Sequence, residues 1–300
     1  MESPLRIEQA IREHKPGFVI PKLSISDVEE ERRFLEDREA RNRKITCYAL
    51  EGVHGVGKTT LCDLLEQYGY HVIREHFMNT FSNFIKEGND KHNCLVETAW
   101  ASMQILNIVN MANDIRREIF LYPEEADFFF VDRTFLTGIA YGVMSREMNY
   151  YYRTLFDNAI EALKNEYNIE LKIVRLMPED PEEHFQRILR RITVNVKEGD
   201  TRTSLHEADR SHFDKISAEY QKFSQYFDYT WFPKYYSRDN GRIVYIFIDE
   251  FLDTIGRLDE DKEDFERVMV FDTLTKTIIC CLNKEEFLKQ WQSGEIDHTV

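Results

Sequence analysis

Between Tyr48 and Leu65 the chain reads YALEGVHGVGKTTLCDLL. An apolar run meets a glycine-rich turn, and a helical pattern follows at once. Gly52-Val53-His54-Gly55-Val56-Gly57-Lys58-Thr59 satisfies G-x-x-x-x-G-K-[ST] at every position,. Glycines let the backbone curl until successive N–H groups face one concavity and let phosphate oxygens approach closely. The helix that begins here aims its N-terminus at the same anion. The pattern places Gly52 through Thr60 around the phosphates of ATP, Lys58 on the β- and γ-phosphates, and Thr59 on Mg²⁺. His54 fills a position for which the loop mechanism makes no demand. The stretch therefore fixes strand, turn and helix, and with them a nucleoside triphosphate site, but it names no reaction.

The surrounding pattern extends this unit. Apolar runs at 45–50, 71–73, 128–131, 171–177 and 243–248 are separated by helical periodicity. Near-continuous apolar strands alternating with helices indicate a parallel sheet buried on both faces. The expected architecture is an α/β fold of the P-loop NTPase type, with five parallel strands flanked by helices over 44–250. A polar, helix-prone extension precedes it at 1–43, where Glu29/Arg33, Asp37/Arg41 and Glu39/Arg43 fall at i,i+4,. Residues 251–300 read as a C-terminal extension of further helix and an edge element.

Bulk properties narrow the partners. A net charge of −15 disfavours general adhesion to nucleic acid,. No run of 18 apolar residues is present, so no membrane span is expected, and the first residues lack the apolar core of a secretory signal,. The five cysteines show no CxxC spacing. That reads as reduced thiols in an intracellular protein without a zinc site.

Other features fall where strands of such a sheet end, the edge at which open α/β folds bind ligands. Glu75 follows the second run, where a carboxylate can take a proton from an attacking hydroxyl. Asp132 and Arg133 follow the third directly, as a structural ion pair or as groups near Mg²⁺ and the transferring phosphate. Gln104 sits among apolar neighbours, and its amide needs partners that a backbone or a base edge supplies. Arg187 and Arg191 are i,i+4 on one helical face, placed either for solvent or for clamping phosphates, with Arg190 about 100° away.

Taken in order, "GVHGVGKTT", the glutamate of "REHF", "SMQIL", "VDRTF", "LMPED" and the arginine helix resemble the deoxynucleoside kinase and thymidylate kinase superfamily. The likeness is greatest to herpesvirus-type thymidine kinases, which share a histidine at the position of His54, and it covers about residues 45 to 250. The resemblance implies Mg²⁺-dependent transfer of the ATP γ-phosphate to the 5′-OH of a deoxynucleoside, thymidine first. It implies Glu75 as general base, Lys58 and Arg133 on the reacting groups, and Asp132 with Thr59 on the metal. Gln104 would read the pyrimidine, and Tyr141 would stack on it, unless a one-residue shift puts Gly142 there. Arg187 and Arg191 would belong to the lid. Glu198 or Asp200 would hold the 3′-OH. The implied partners are these small molecules, with no nucleic acid and no membrane, in a homodimer in the cytoplasm, or in the host cytoplasm or nucleus if the source is viral. Thr193 stands where the family carries a further lid arginine, and His76 where it often has proline. Residues 209–223, "DRSHFDKISAEYQKF", look more like the thymidylate kinase helix, which makes dTMP a second acceptor. A nucleotide-binding subunit without turnover is the third reading.

Overall fold

The computed structural model describes residues 43–74, 111–117, 128–134, 136–140, 149–197, 208–234, 236–238, 242–258 and 266–294. Strand β1 (Ile45–Glu51) is buried almost throughout. It lies centrally because only a strand flanked on both sides and both faces can hold ITCYAL away from water. It pairs in parallel with β3 (Phe128–Asp132) on one side and with β4 (Ile169–Leu176) on the other. β2 (Val72–Ile73) and β5 (Tyr229–Trp231) complete a parallel sheet of order β2-β3-β1-β4-β5. The chain builds to one side of β1 through β2 and β3, then to the other through β4 and β5. The carboxyl ends beside β1 thus open a crevice.

Five parallel strands are present, as expected, but the fifth is not the run at 243–248. That run forms β7 (Ile243–Phe247), the second strand of a separate antiparallel sheet. Its neighbours are β6 (Tyr236–Arg238) and β8 (Arg267–Asp272), and β9 (Thr277–Asn283) forms the far edge. The confusion has a physical source. A parallel core strand and an antiparallel strand covered on both faces are equally apolar. On β7, Ile243, Tyr245 and Phe247 enter one cluster, while Val244 and Ile246 pack on the main core. β8 alternates in the same way: Val268 and Val270 face the small cluster, and Met269 and Phe271 the main one. Helix α7 (Lys284–Ser293) supplies Phe287, Leu288 and Trp291 to the small cluster. The true fifth strand, Tyr-Thr-Trp, is three residues long with Thr230 exposed.

Helix α1 (Lys58–Gln67) follows the glycine turn, and α2 (Leu136–Ala140) follows β3. Helix α3 (Asn149–Tyr167) packs on β4. After β4 come α4 (Pro181–Lys197) and α5 (Arg210–Lys222); α6 (Ile248–Thr254) continues β7. The second sheet is fastened to α1: the Gln67 side-chain amide donates to the Lys276 carbonyl and accepts from Ile278 N–H at 2.9 Å. Lys276 also reaches Asp63 on α1, at 3.5 Å. Among the described residues, no helix is long and apolar enough to cross a membrane.

Candidate nucleotide site

The glycine turn behaves as its sequence demands. Gly52 has φ +149, and a Cβ there would lie 2.4 Å from the Leu176 carbonyl oxygen, so no side chain fits between β1 and β4 at this point. Gly55, at φ +73, would drive a Cβ to 2.8 Å from Ile188 of α4. Gly57 opens α1 at φ 91, with no side-chain cap and no acidic residue in the first turn. The starts of α4, α5 and α7 are capped by their own oxygens: Asp180 accepts from Glu182 N–H, Asp209 from Ser211 N–H, and Asn283 from Glu285 N–H. The first turn of α1 thus lacks the local acceptors that would compete with an anion.

Lys58 is buried and folds back over the loop, donating to the Gly52 carbonyl at 2.5 Å and the Val53 carbonyl at 2.8 Å. The next carbonyl, of His54, accepts from His184 Nε2 at 3.0 Å. Three successive loop carbonyls are thereby occupied. In a trans peptide, C=O and the following N–H point in opposite directions, so the amides of Val53, His54 and Gly55 face away from these partners.

Asp132 ends β3 with 6% exposure, and its Oδ1 has no hydrogen-bond partner among the described residues. A buried carboxylate oxygen in that condition is costly unless a ligand completes it. Arg133 follows with φ 74, a conformation that residues with side chains seldom adopt,. Thr134 then donates its N–H to Glu51 Oε1 at 2.7 Å and its hydroxyl to the same oxygen at 2.5 Å. Thr137 and Tyr220 hydroxyls each donate to Glu51 Oε2 at 2.8 Å. Glu51, fully buried, therefore joins the base of the loop to the turn carrying Asp132-Arg133 and to α5.

Mg²⁺ takes hard oxygen ligands, usually one or two carboxylates beside phosphates and water. Asp132 with the Thr59 hydroxyl suits that chemistry, on the strength of the orphaned Oδ1. Among the described residues, no group of three or more His, Cys, Asp and Glu could hold a metal ion by itself.

On the opposite flank, Arg187 is half-buried and Arg190 exposed. Arg191 shares the helix, but its side chain lies outside the described set, as do Glu75, Gln104, Tyr141 and Glu198 in full. A cleft of about 280 Å³ opens beside Gly52 and Val53, bounded by Arg175 of β4, Pro178, and Phe213 and Tyr220 of α5. Sequence reading missed Glu51 and His184. Glu51 carried a signal, a carboxylate ending a buried apolar strand directly before the motif. His184 carried a weaker one, its i,i+3 relation to Arg187.

A protein-family model described as an AAA domain matches residues 47–221, from β1 to the end of α5. No curated protein matches the sequence. Among solved structures, a deoxyadenosine kinase from M. mycoides, with dCMP and a flexible dCDP bound, is similar at 15% identity. The likeness covers 60% of this chain and 83% of that one, with a TM-score of 0.32. An overlap that loose says nothing about substrate. The family match and the parallel sheet describe a P-loop NTPase-like α/β fold.

Proposed function

Because this chain belongs to the AAA-domain family and carries a nucleotide-binding P-loop domain, we propose that it is a kinase. It transfers the γ-phosphate of Mg·ATP in line to the 5′-OH of a deoxynucleoside, with thymidine the first candidate. The observation that carries this reading is the pairing of a complete phosphate loop with Asp132-Arg133 at the end of the adjacent strand. A nucleotide-binding fold that served only as a platform has no use for a buried carboxylate oxygen left to a ligand beside that loop.

In this reading the loop amides and Lys58 hold the β- and γ-phosphates. Arg133 meets the transferring group, and Arg187 and Arg191 close from the lid. Bound Mg²⁺, held by Thr59 and Asp132, would neutralise charge on the phosphates. Glu75 takes the hydroxyl proton, Gln104 and Tyr141 engage the base, and Glu198 the sugar. Positioning and charge stabilisation supply most of the rate. The likeness to herpesvirus-type thymidine kinases and the dimeric assembly belong to the same proposal.

The thymidylate-kinase character of residues 209–223 favours a second acceptor, dTMP. Radiolabelled γ-phosphate transfer to four deoxynucleosides and dTMP tests both, with Glu75→Gln as control. Transfer to thymidine, abolished in Glu75→Gln, is expected. Transfer to dTMP alone moves the assignment to thymidylate kinase. ATP binding with transfer to no acceptor would overturn the kinase reading in favour of a subunit without turnover.

A further inference from the structure

Three histidines meet around the tip of the phosphate loop. The His54 ring stacks with His212 at 6.2 Å and meets Phe213 edge-on at 5.6 Å. His184, on the first turn of α4 and 1% exposed, also packs on Phe213, with ring centroids 5.6 Å apart. The His184 ring touches the loop backbone. Its Nε2 is 3.0 Å from the His54 carbonyl oxygen, and its Nδ1 bonds to Arg187 Nη2.

The partners settle the proton. A carbonyl only accepts, so Nε2 carries the hydrogen. A guanidinium only donates, so Nδ1 offers its lone pair. One neutral tautomer satisfies both contacts, whereas an imidazolium would keep the Nε2 contact and lose the other, since its second N–H would face Arg187,. The electrostatics agree: burial, then the Arg187 charge, hold the ring far below its ordinary range, at about 3. The hydrogen bond to the His54 carbonyl opposes the shift, while the His54 and Lys58 charges add to it. Helix α4 comes this close because Gly55 has no side chain; a Cβ there would lie 2.8 Å from Ile188 and 3.7 Å from the His184 ring.

We infer that His184 is a positioning residue that couples the phosphate loop to the lid arginine Arg187. Through one ring it fixes the His54 peptide and gives the Arg187 guanidinium an acceptor, so that loop amides and lid cation are set relative to each other before ATP arrives. This rests on the reading that the loop holds ATP and that Arg187 serves its phosphates. It assigns no chemistry to His184 itself.

The test is a double-mutant cycle on full-length protein, read as the Kd of a fluorescent ATP analogue. Arg187→Ala in the wild-type background should weaken binding about tenfold, the scale of one charge-assisted hydrogen bond. His184→Gln, similar in bulk and still polar, should weaken it several-fold. In the His184→Gln background, Arg187→Ala should then cost less than about threefold, because the guanidinium has already lost its fixed partner. A full tenfold cost in both backgrounds would overturn the coupling, as would an unchanged Kd in His184→Gln. Ring ¹⁵N NMR decides the contact without nucleotide: His184 should stay in its Nε2–H form from pH 5 to 8, and Arg187→Ala should move its Nδ1 resonance. An Nδ1–H tautomer, or titration near pH 6.5, would end the proposal. If the wild-type chain bound no ATP, the kinase reading would fail, while the ring spectrum would still judge the contact.

Discussion

The two sheets treat buried charge in opposite ways. In the antiparallel sheet every prominent charge is matched locally. Asp249, at the start of α6, takes the Arg267 guanidinium through both oxygens and also the Arg267 N–H at 2.6 Å. Lys284 meets Glu250 at 2.8 Å and also Glu266, and Arg242 meets Asp272 at 2.9 Å. In the parallel sheet the buried carboxylates Glu51 and Asp132 have no such cations among the described residues. Glu51 is answered by hydroxyls and one N–H, and one oxygen of Asp132 by nothing within the described residues. Charges closed among themselves hold a fold together. Glu51 is closed as well, by neutral donors, and the Asp132 oxygen at the sheet edge is the one left open among these.

That contrast can be broken at its strong end. Asp249→Ala leaves the Arg267 guanidinium, 16% exposed, without its carboxylate. It is expected to cost about 3–5 kcal/mol in urea unfolding, with ATP binding preserved. A loss below about 1 kcal/mol would mean the pair is ornamental. Next comes Glu51→Leu, which strips four donors of their acceptor and should cost about 2–4 kcal/mol. Glu51→Gln should cost less than half as much, since its oxygen still accepts from Thr134 and its amide can donate to the hydroxyls of Thr137 and Tyr220. Equal losses would point to the charge rather than the hydrogen bonds. The smallest stability effect is the sharpest test. Asp132→Asn should change stability by less than about 1 kcal/mol, yet slow γ-phosphate transfer about a hundredfold. A large stability loss with transfer intact would place Asp132 in the same class as Asp249 and erase the difference between the sheets.

How much of this was legible follows the same division. The loop could be read outright, because phosphate binding imposes glycine, lysine and threonine at fixed spacing, and the structure gives them the strand and helix they require. Asp132 and Arg133 were visible as charges directly after an apolar run. β7 was misplaced because IVYIF is covered on both faces, and periodicity cannot tell a strand between two parallel neighbours from one between a helix and another layer. β5 went unread because three residues with an exposed centre carry no pattern. The partners of Glu51 are separated from it by 83 to 169 positions. His184 lies 130 from the carbonyl it binds. Such contacts exist only after folding, so a single sequence holds the residues but not the meeting.

Affinity for phosphate at this loop is set against the bonds that Lys58 already makes. The amine already gives two of its three N–H donors to carbonyls, so a phosphate that draws on those donors enters by exchange rather than addition,. The free energy measured on binding is a difference between two bonded arrangements of the same lysine. Deleting the side chain removes both arrangements at once, and the drop in affinity from Lys58→Ala will therefore understate the strength of the amine–phosphate bond by whatever the Gly52 and Val53 carbonyls were worth to it.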